Sequence, residues 1–340
     1  MTRRGSFWIG LAAGAAAVLG MARLARERRA ISFEGRTVVI TGGSRGLGLV
    51  LARQLAAEGA RLCLLARDAD ELDRARAQLP ADAEVLVIRC DVRRRGDVRA
   101  AMDQVLERWT AVDVLINNAG VIQVGPLEHM TPDDFENAMA THFWGPLHLM
   151  FEVVPAMRRR GFGRIVNVAS ISGRIAVPHM APYTASKFAL VGLSDAVRAE
   201  LDQYGIRVTT VSPGLMRTGS PLNAWVKGQH EAEYAWFSIS DSTPGLSMSA
   251  ERSARQIIEA CRYGDPELTI TVAAKMGVLA NHLAPKLVAR LMFLANRVLP
   301  GPTAGQEGMQ ARRGRDSETA VTRSFATALT KKAAVANNEL

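Results

Sequence analysis

The chain has 340 residues, 48% hydrophobic and 22% charged, with 29 glycines and 14 prolines. That balance excludes a wholly disordered chain, a collagen-like repeat and a disulfide-stapled miniprotein. A net charge of +9 would suit nucleic acid or a membrane surface. However, residues 1–36 carry +5 and residues 311–340 carry +3, leaving +1 for the 274 residues between. A nucleic-acid partner needs a basic body, so that class is set aside. Cys63, Cys90 and Cys261 form no CxxC pair and lie near no histidine cluster, which predicts no metal site and fits a reducing compartment.

In chain order, residues 1–32 read as a basic and apolar leader. Phe7–Ala22 is a sixteen-residue stretch without charge. As a helix it would be about 24 Å long against a hydrocarbon core of about 30 Å, a short span that flanking arginines could extend by snorkelling. A membrane anchor, a cleaved signal peptide and a surface helix compete. Arg23, Arg26, Arg28 and Arg29 follow the stretch at once. They favour an anchor with the remainder facing the cytoplasm, a soluble cytoplasmic protein being the alternative.

Residues 33–272 read as the folded body. Apolar, β-branched runs at Thr37–Ile40, Arg61–Ala66, Val85–Cys90, Val112–Ile116, Arg164–Ala169, Ile206–Val211 and Glu267–Val272 predict strands. Helical periodicity between them predicts helices at Leu47–Glu58, Ala69–Gln78, Asp97–Trp109, Pro132–Arg159, Pro182–Tyr204 and Ala250–Arg262. The runs do not alternate in polarity, so both sheet faces are covered. The fold class is α/β, a doubly wound Rossmann-type parallel sheet with helices on both faces.

The first strand runs into Thr41-Gly42-Gly43-Ser44-Arg45-Gly46-Leu47-Gly48, and a helix follows. Glycines there let a pyrophosphate approach the backbone at a helix N-terminus. No Gly-Lys-Ser/Thr follows, which excludes an NTP-binding loop. With this turn come Cys90-Asp91-Val92, Asn117-Asn118-Ala119-Gly120, Ser170 followed by Tyr183-x-x-x-Lys187, and Pro213-Gly214 with Thr218. In these ordered motifs, across Phe33–Thr271, the sequence resembles the short-chain dehydrogenase/reductase family.

The resemblance implies a nicotinamide dinucleotide held by Thr41, Gly42, Ser44, Arg45, Gly46, Leu47, Gly48, Arg67, Asp91, Val92, Asn118, Ala119, Gly120, Tyr183, Lys187, Pro213, Gly214 and Thr218. Asp91 would meet the adenine, Asn118 would hold the strand end near the adenosine ribose, and Thr218 would meet the nicotinamide carboxamide. The second strand ends Leu64-Leu65-Ala66-Arg67, with Ala66 where an acid would serve NAD. Arg67 and Arg45 could flank a 2′-phosphate, so the cofactor expected is NADP(H).

Tyr183 and Lys187 share a helix face. A free tyrosine titrates at about 10, and bringing it near neutrality needs roughly 4 kcal/mol of selective phenolate stabilisation. A desolvated ammonium beside it, helped by an oxidised nicotinamide, is a sufficient source. The expected roles are Tyr183 as general acid/base with its pKa lowered, Lys187 as modulator and ribose anchor, and Ser170 as carbonyl positioner. The family's usual Asn in the long helix after the fourth strand is replaced by His142, which leaves the proton relay open; Asn137 lies about 140° round the helix and cannot substitute. Asn167 reads as structural.

The Asn223–Ser240 stretch carries Trp225, Tyr234, Trp236 and Phe237, with Met248 beyond it and Val177–Met180 before Tyr183. In the family this region covers the substrate. Its side chains point to a lipophilic carbonyl or secondary alcohol, or else simply pack the lid onto the body. A scaffold of the same fold with little turnover is the alternative function. The family's habit of pairing its long helices implies a homodimer or homotetramer.

Residues 273–300 read as a basic amphipathic helix that Pro285 must kink or split. It either packs on the body or lies on a membrane surface. Residues 301–340 read as a disordered tail with one short helix around Val321, Phe325 and Leu329.

Overall fold

Strand register explains why the apolar runs lack alternation. In the computed structural model, seven of them form one parallel sheet: β1 (Thr37–Thr41), β2 (Arg61–Ala66), β3 (Val85–Arg89), β4 (Val114–Asn117), β5 (Gly163–Val168), β6 (Ile206–Pro213) and β7 (Glu267–Ile270). Their order is β3-β2-β1-β4-β5-β6-β7. Consecutive residues of β1 enter opposite layers. Val38 and Ile40 pack with Leu49 and Leu51 of α1 (Gly46–Ala57) and Ile257 of α8 (Ala250–Tyr263). Val39 packs with Met102 and Val105 of α3 (Arg95–Trp109) and Leu149 and Val153 of α5 (Gly145–Arg160). Each such fully buried side chain contributes roughly 1.5–3 kcal/mol. The structure describes residues 20, 21, 23–303, 305 and 307–340.

The remaining long helices are α2 (Ala69–Ala77), α4 (Pro132–Met139), α6 (Ala181–Leu201), α7 (His230–Ser242), α9 (Val272–Leu283), α10 (Pro285–Asn296) and α11 (Ala328–Ala336). The chain reverses its direction of winding between β1 and β4, and that switch opens a cleft at their C-terminal ends.

Three expectations need correction. The predicted helix over 132–159 is interrupted by a five-residue π segment, Ala140–Trp144. Pro146 follows two residues later; its ring would clash with the His142 carbonyl in a continuous α-helix, whereas the first turn of a new helix accepts it. Secondly, the tail is not disordered. Arg312–Arg313 pairs antiparallel with Trp225–Val226, and Thr322, Thr327, Thr330, Ala334 and Asn337 are buried. Thirdly, the apolar residues expected to fix its helix, Val321, Phe325 and Leu329, are the exposed ones. Polar side chains with fixed partners, such as Thr330 Oγ1 at 2.6 Å from Ser242 Oγ, hold the tail instead.

Pro285 splits the basic amphipathic stretch into α9 and α10, with the break at Ala284. Only Ala274 and Val288 of these helices are buried, so their apolar face is not packed on the body. The proposed anchor, residues 7–22, lies outside the described residues apart from Gly20 and Met21. Among the described residues no helix is long and apolar enough to cross a membrane.

Candidate active site

The glycine turn closes β1 and starts α1. Gly46 adopts φ +55°, and a Cβ on Gly48 would lie 2.0 Å from the Gly42 carbonyl oxygen, so the close approach of turn and helix depends on both positions. Thr41 Oγ1 accepts from the backbone N–H groups of Asn118 and Ala119, both at 2.9 Å. Asn118 Nδ2 donates to the Thr41 carbonyl at 3.0 Å. These bonds lash the ends of β1 and β4 together at the floor of the cleft. Leu47 is buried beneath the turn, and Val92 fills the space a Cβ on Gly145 would need. Gly120 faces His142 Nε2.

At the end of β2, Arg67 is exposed while Arg45 is held by Glu71 at 2.7 Å. Ser44 Oγ donates to the other Glu71 oxygen at 2.9 Å. A cleft of about 450 Å³ joins Arg67, Arg89, Asp91 and Arg94. Burial alone would raise the Asp91 carboxyl, but the Arg93 guanidinium, 2.6 Å away, holds it below the ordinary carboxylate range. Arg93 also reaches Asn137 Oδ1 at 2.8 Å, so Asn137 serves this end of the cleft. The tail adds cations here that sequence reasoning missed. Arg313 stacks on Trp225 at 3.7 Å. Burial first, then Arg45, Arg315 and Arg67, holds its guanidinium below its ordinary value.

Ser170 leaves the end of β5 and accepts from Ser172 N–H at 3.1 Å. Lys187 is buried, donates to the Val168 carbonyl at 2.8 Å and lies 5.6 Å from the centre of the Tyr183 ring. Burial lowers Lys187 to about 7. The lowered Tyr183 phenol is expected beside an oxidised nicotinamide; the protein alone acts on Tyr183 in the other direction. Burial pushes it up to about 12, with a hydrogen bond to Ser170 opposing and Asp241 reinforcing the rise. The group is assembled with a protonated phenol at neutral pH.

His142, left open by the sequence, is fully engaged. Its Nε2 accepts from Val121 N–H at 3.1 Å. Ser186 Oγ, which itself donates to the Tyr183 carbonyl, lies 2.8 Å from His142 Nδ1. The tautomer is therefore Nδ1–H. Burial, then the Lys187 charge, holds the ring well below its ordinary pKa, and it stands edge-on to Tyr183 at 5.4 Å. Asn167 is likewise structural, bonded to Asn117 and Ser194.

The aromatics of the lid divide. Trp236, Phe237, Val177 and Met180 cluster with Tyr183. Tyr234 packs instead with Leu222, Val226 and Ala334 of the tail, and Met248 packs against the core beneath α8, so neither lines the pocket. Buried polar groups were not foreseen. Glu233 accepts from Trp236 Nε1 and meets His179 Nδ1, both at 2.7 Å. Burial and then Glu339 push Asp241 up to about 8. Pro213 ends β6, and a Cβ on Gly214 would meet Thr271 Oγ1 at 2.5 Å. Thr218 donates to Ser220 Oγ at 2.8 Å, and the next amide, Gly219 N–H, donates to the Glu339 carboxylate.

A family model described as short chain dehydrogenase matches residues 36–225. Dehydrogenase/reductase SDR family member 7B of Bos taurus is 35% identical over 265 residues, 75% of this chain and 79% of that protein. A short chain dehydrogenase/reductase from Burkholderia phymatum, solved in complex with NAD, aligns with TM-score 0.68 at 27% identity, covering 76% of this chain and 96% of that one. A metagenomic short-chain oxidoreductase, solved in complex with NADP, aligns with TM-score 0.57 at 29% identity, covering 71% and 98%.

Proposed function

The chain belongs to the short-chain dehydrogenase/reductase family and is an oxidoreductase of it; from that premise we propose that it uses NADP(H) to interconvert a lipophilic carbonyl compound and its secondary alcohol. One observation carries the reading: Ser170, Tyr183 and Lys187 meet at the C-terminal end of the parallel sheet, the end at which the glycine turn also lies.

The residues fit the cofactor. The turn at Gly46 and Gly48 brings backbone close to backbone with no side chain between, and α1 begins there with an amide end that no side chain caps. Arg67, Arg45 and Arg313 suit a 2′-phosphate, and no acid stands at Ala66 to prefer the ribose hydroxyls of NAD. When bound, the reduced nicotinamide supplies the hydride. Ser170 donates to the substrate oxygen and orients it. Tyr183, protonated at neutral pH, gives that oxygen its proton in the reductive direction. Lys187, 5.6 Å from the centre of the Tyr183 ring, offers its charge to the phenolate that forms. Trp236, Phe237 and Met180 exclude water from the reacting carbon and favour an apolar substrate.

NADPH oxidation against carbonyls graded by size and polarity tests this reading. Large apolar ketones or aldehydes should turn over best. A preference for small or charged carbonyls would sink the substrate class, and no turnover with either dinucleotide would favour the scaffold.

We place the catalytic body on the cytoplasmic face of an anionic bilayer. Met276, Leu279, Leu283, Leu287, Leu291 and Leu294 are each at least 50% exposed along α9 and α10, with Lys275, Lys286, Arg290 and Arg297 also exposed. The chain should co-sediment with vesicles of anionic but not neutral phospholipid. Exposed Trp144 and Phe151 on the long-helix pair beside Phe188 favour a homodimer or homotetramer through that face.

A further inference from the structure

We propose that residues Asn337–Glu339 are an internal competitor of the dinucleotide: they occupy its phosphate subsite and must leave before it binds. This rests on the dinucleotide reading above. The first amide of α1, Gly46 N–H, is the donor a helix N-terminus offers to a phosphate. It donates to the Asn337 carbonyl at 2.9 Å. The Glu339 carboxylate lies 2.9 Å from where a Cβ on Gly46 would stand and takes the Gly219 N–H on the opposite wall. The Glu339 side chain thus spans the cleft from the glycine turn to the loop after β6. A pyrophosphate cannot share the Gly46 amide with the Asn337 carbonyl, nor the space beside it with the Glu339 side chain.

The tail is seated by specific bonds. Asn338 Nδ2 donates to the carbonyls of Ser44 at 2.9 Å and Glu71 at 3.0 Å. Its Oδ1 accepts from Arg74 Nε at 3.0 Å. Arg53 donates to Asn337 Oδ1 at 2.9 Å and to the Ala336 carbonyl at 2.7 Å. Asn223 Nδ2 donates to the Glu339 carbonyl at 3.1 Å. Asn337 is fully buried and Glu339 is 5% exposed, whereas Leu340 is 67% exposed. Residues 337–339 can therefore lift away while α11 stays packed on Leu222, Val226 and Tyr234. Asn338 holds φ +58°, a conformation that Asn tolerates and most residues do not.

Affinity for a site that is mostly closed falls by the fraction of time it stands open. NADPH binding, followed by its fluorescence, is compared in the full chain, in a chain ending at Ala336, and in full-length Glu339→Ala and Asn338→Ala. Removing residues 337–340 should tighten Kd about tenfold, as for a cleft closed nine-tenths of the time, and each point variant about threefold. Hydrogen exchange at the amides of 337–340 should quicken when NADPH saturates the full chain. Unchanged or weaker binding after truncation, or slower tail exchange with NADPH, overturns the proposal and leaves the dinucleotide reading intact. Binding of neither NADPH nor NADH by any form overturns both. Should the truncated chain melt early, the two point variants decide alone.

Discussion

The segment from β1 to Lys187 and the segment after Thr218 build the same cleft by different means. In the first, each functional group is placed by what lies next to it in sequence. The turn follows β1, Asn118 follows β4, Ser170 follows β5, and Tyr183 and Lys187 share the first turns of α6. In the second, Arg313, Glu233, Asp241 and Glu339 reach the cleft only through long-range packing. In the proposed reading the first segment supplies the reaction's chemistry and the second governs what may enter.

The sharpest break between them is Tyr183→Phe. If the first segment carries the proton transfer, turnover should fall by about 10³-fold or more while NADPH affinity is kept, because only the hydroxyl is lost. Steady-state kinetics beside a binding titration checks this, and normal turnover would remove Tyr183 from the chemistry.

Arg67→Ala asks which segment selects the dinucleotide. Arg67 is exposed and has no ion pair among the described residues, so its charge is available to a 2′-phosphate. Kd for NADPH should weaken about tenfold and Kd for NADH hardly at all, the difference expected for one charge-assisted phosphate bond. Equal losses would reject the 2′-phosphate assignment. Partial retention would shift weight to Arg313.

This division also marks how far the sequence was legible. The sheet, its order of helices and the Ser-Tyr-Lys group follow from local periodicity and short motif spacing, and the structure brings them together. The π segment at Ala140–Trp144 was missed because a helical period spans it; Pro146 was the available signal. The tail was misread for a different reason. Its composition is polar, and composition cannot report that threonine and asparagine side chains find fixed partners elsewhere in the fold. The lowered Tyr183 pKa was expected from Lys187 helped by an oxidised nicotinamide, whereas in the protein by itself burial governs both groups.

His142 tests whether the first segment also contains a relay. Both ring nitrogens are committed, to Val121 N–H and to Ser186. His142→Ala should therefore lower stability by about 1–3 kcal/mol, the cost of leaving buried partners unpaired. Turnover per folded molecule should change only a few-fold. A melting curve paired with active-site titration separates the two, and a thousandfold loss of turnover in a well-folded variant would restore the relay.

The smallest effect expected is a pH dependence centred on the second segment. Burial pushes Glu339 up to about 7, opposed by the Gly219 amide and Arg45 and reinforced by Glu71. Asp241, raised to about 8 by burial and then by Glu339, faces it from α7. A released Glu339 titrates in the ordinary carboxylate range, near 4.3. Below that range it is protonated whether docked or free, and docking is tightest. Between that range and about 7 docking requires proton uptake, so the tail loosens as pH rises. Ionised Asp241 would then repel it further. The ratio of the full chain's NADPH Kd to that of the chain ending at Ala336 should fall a few-fold from pH 5 to pH 8. The dinucleotide's own titration is common to both proteins and cancels. A ratio that rises with pH would mean that Glu339 docks as a carboxylate, held by the α1 amide end and Arg45 more strongly than burial opposes it.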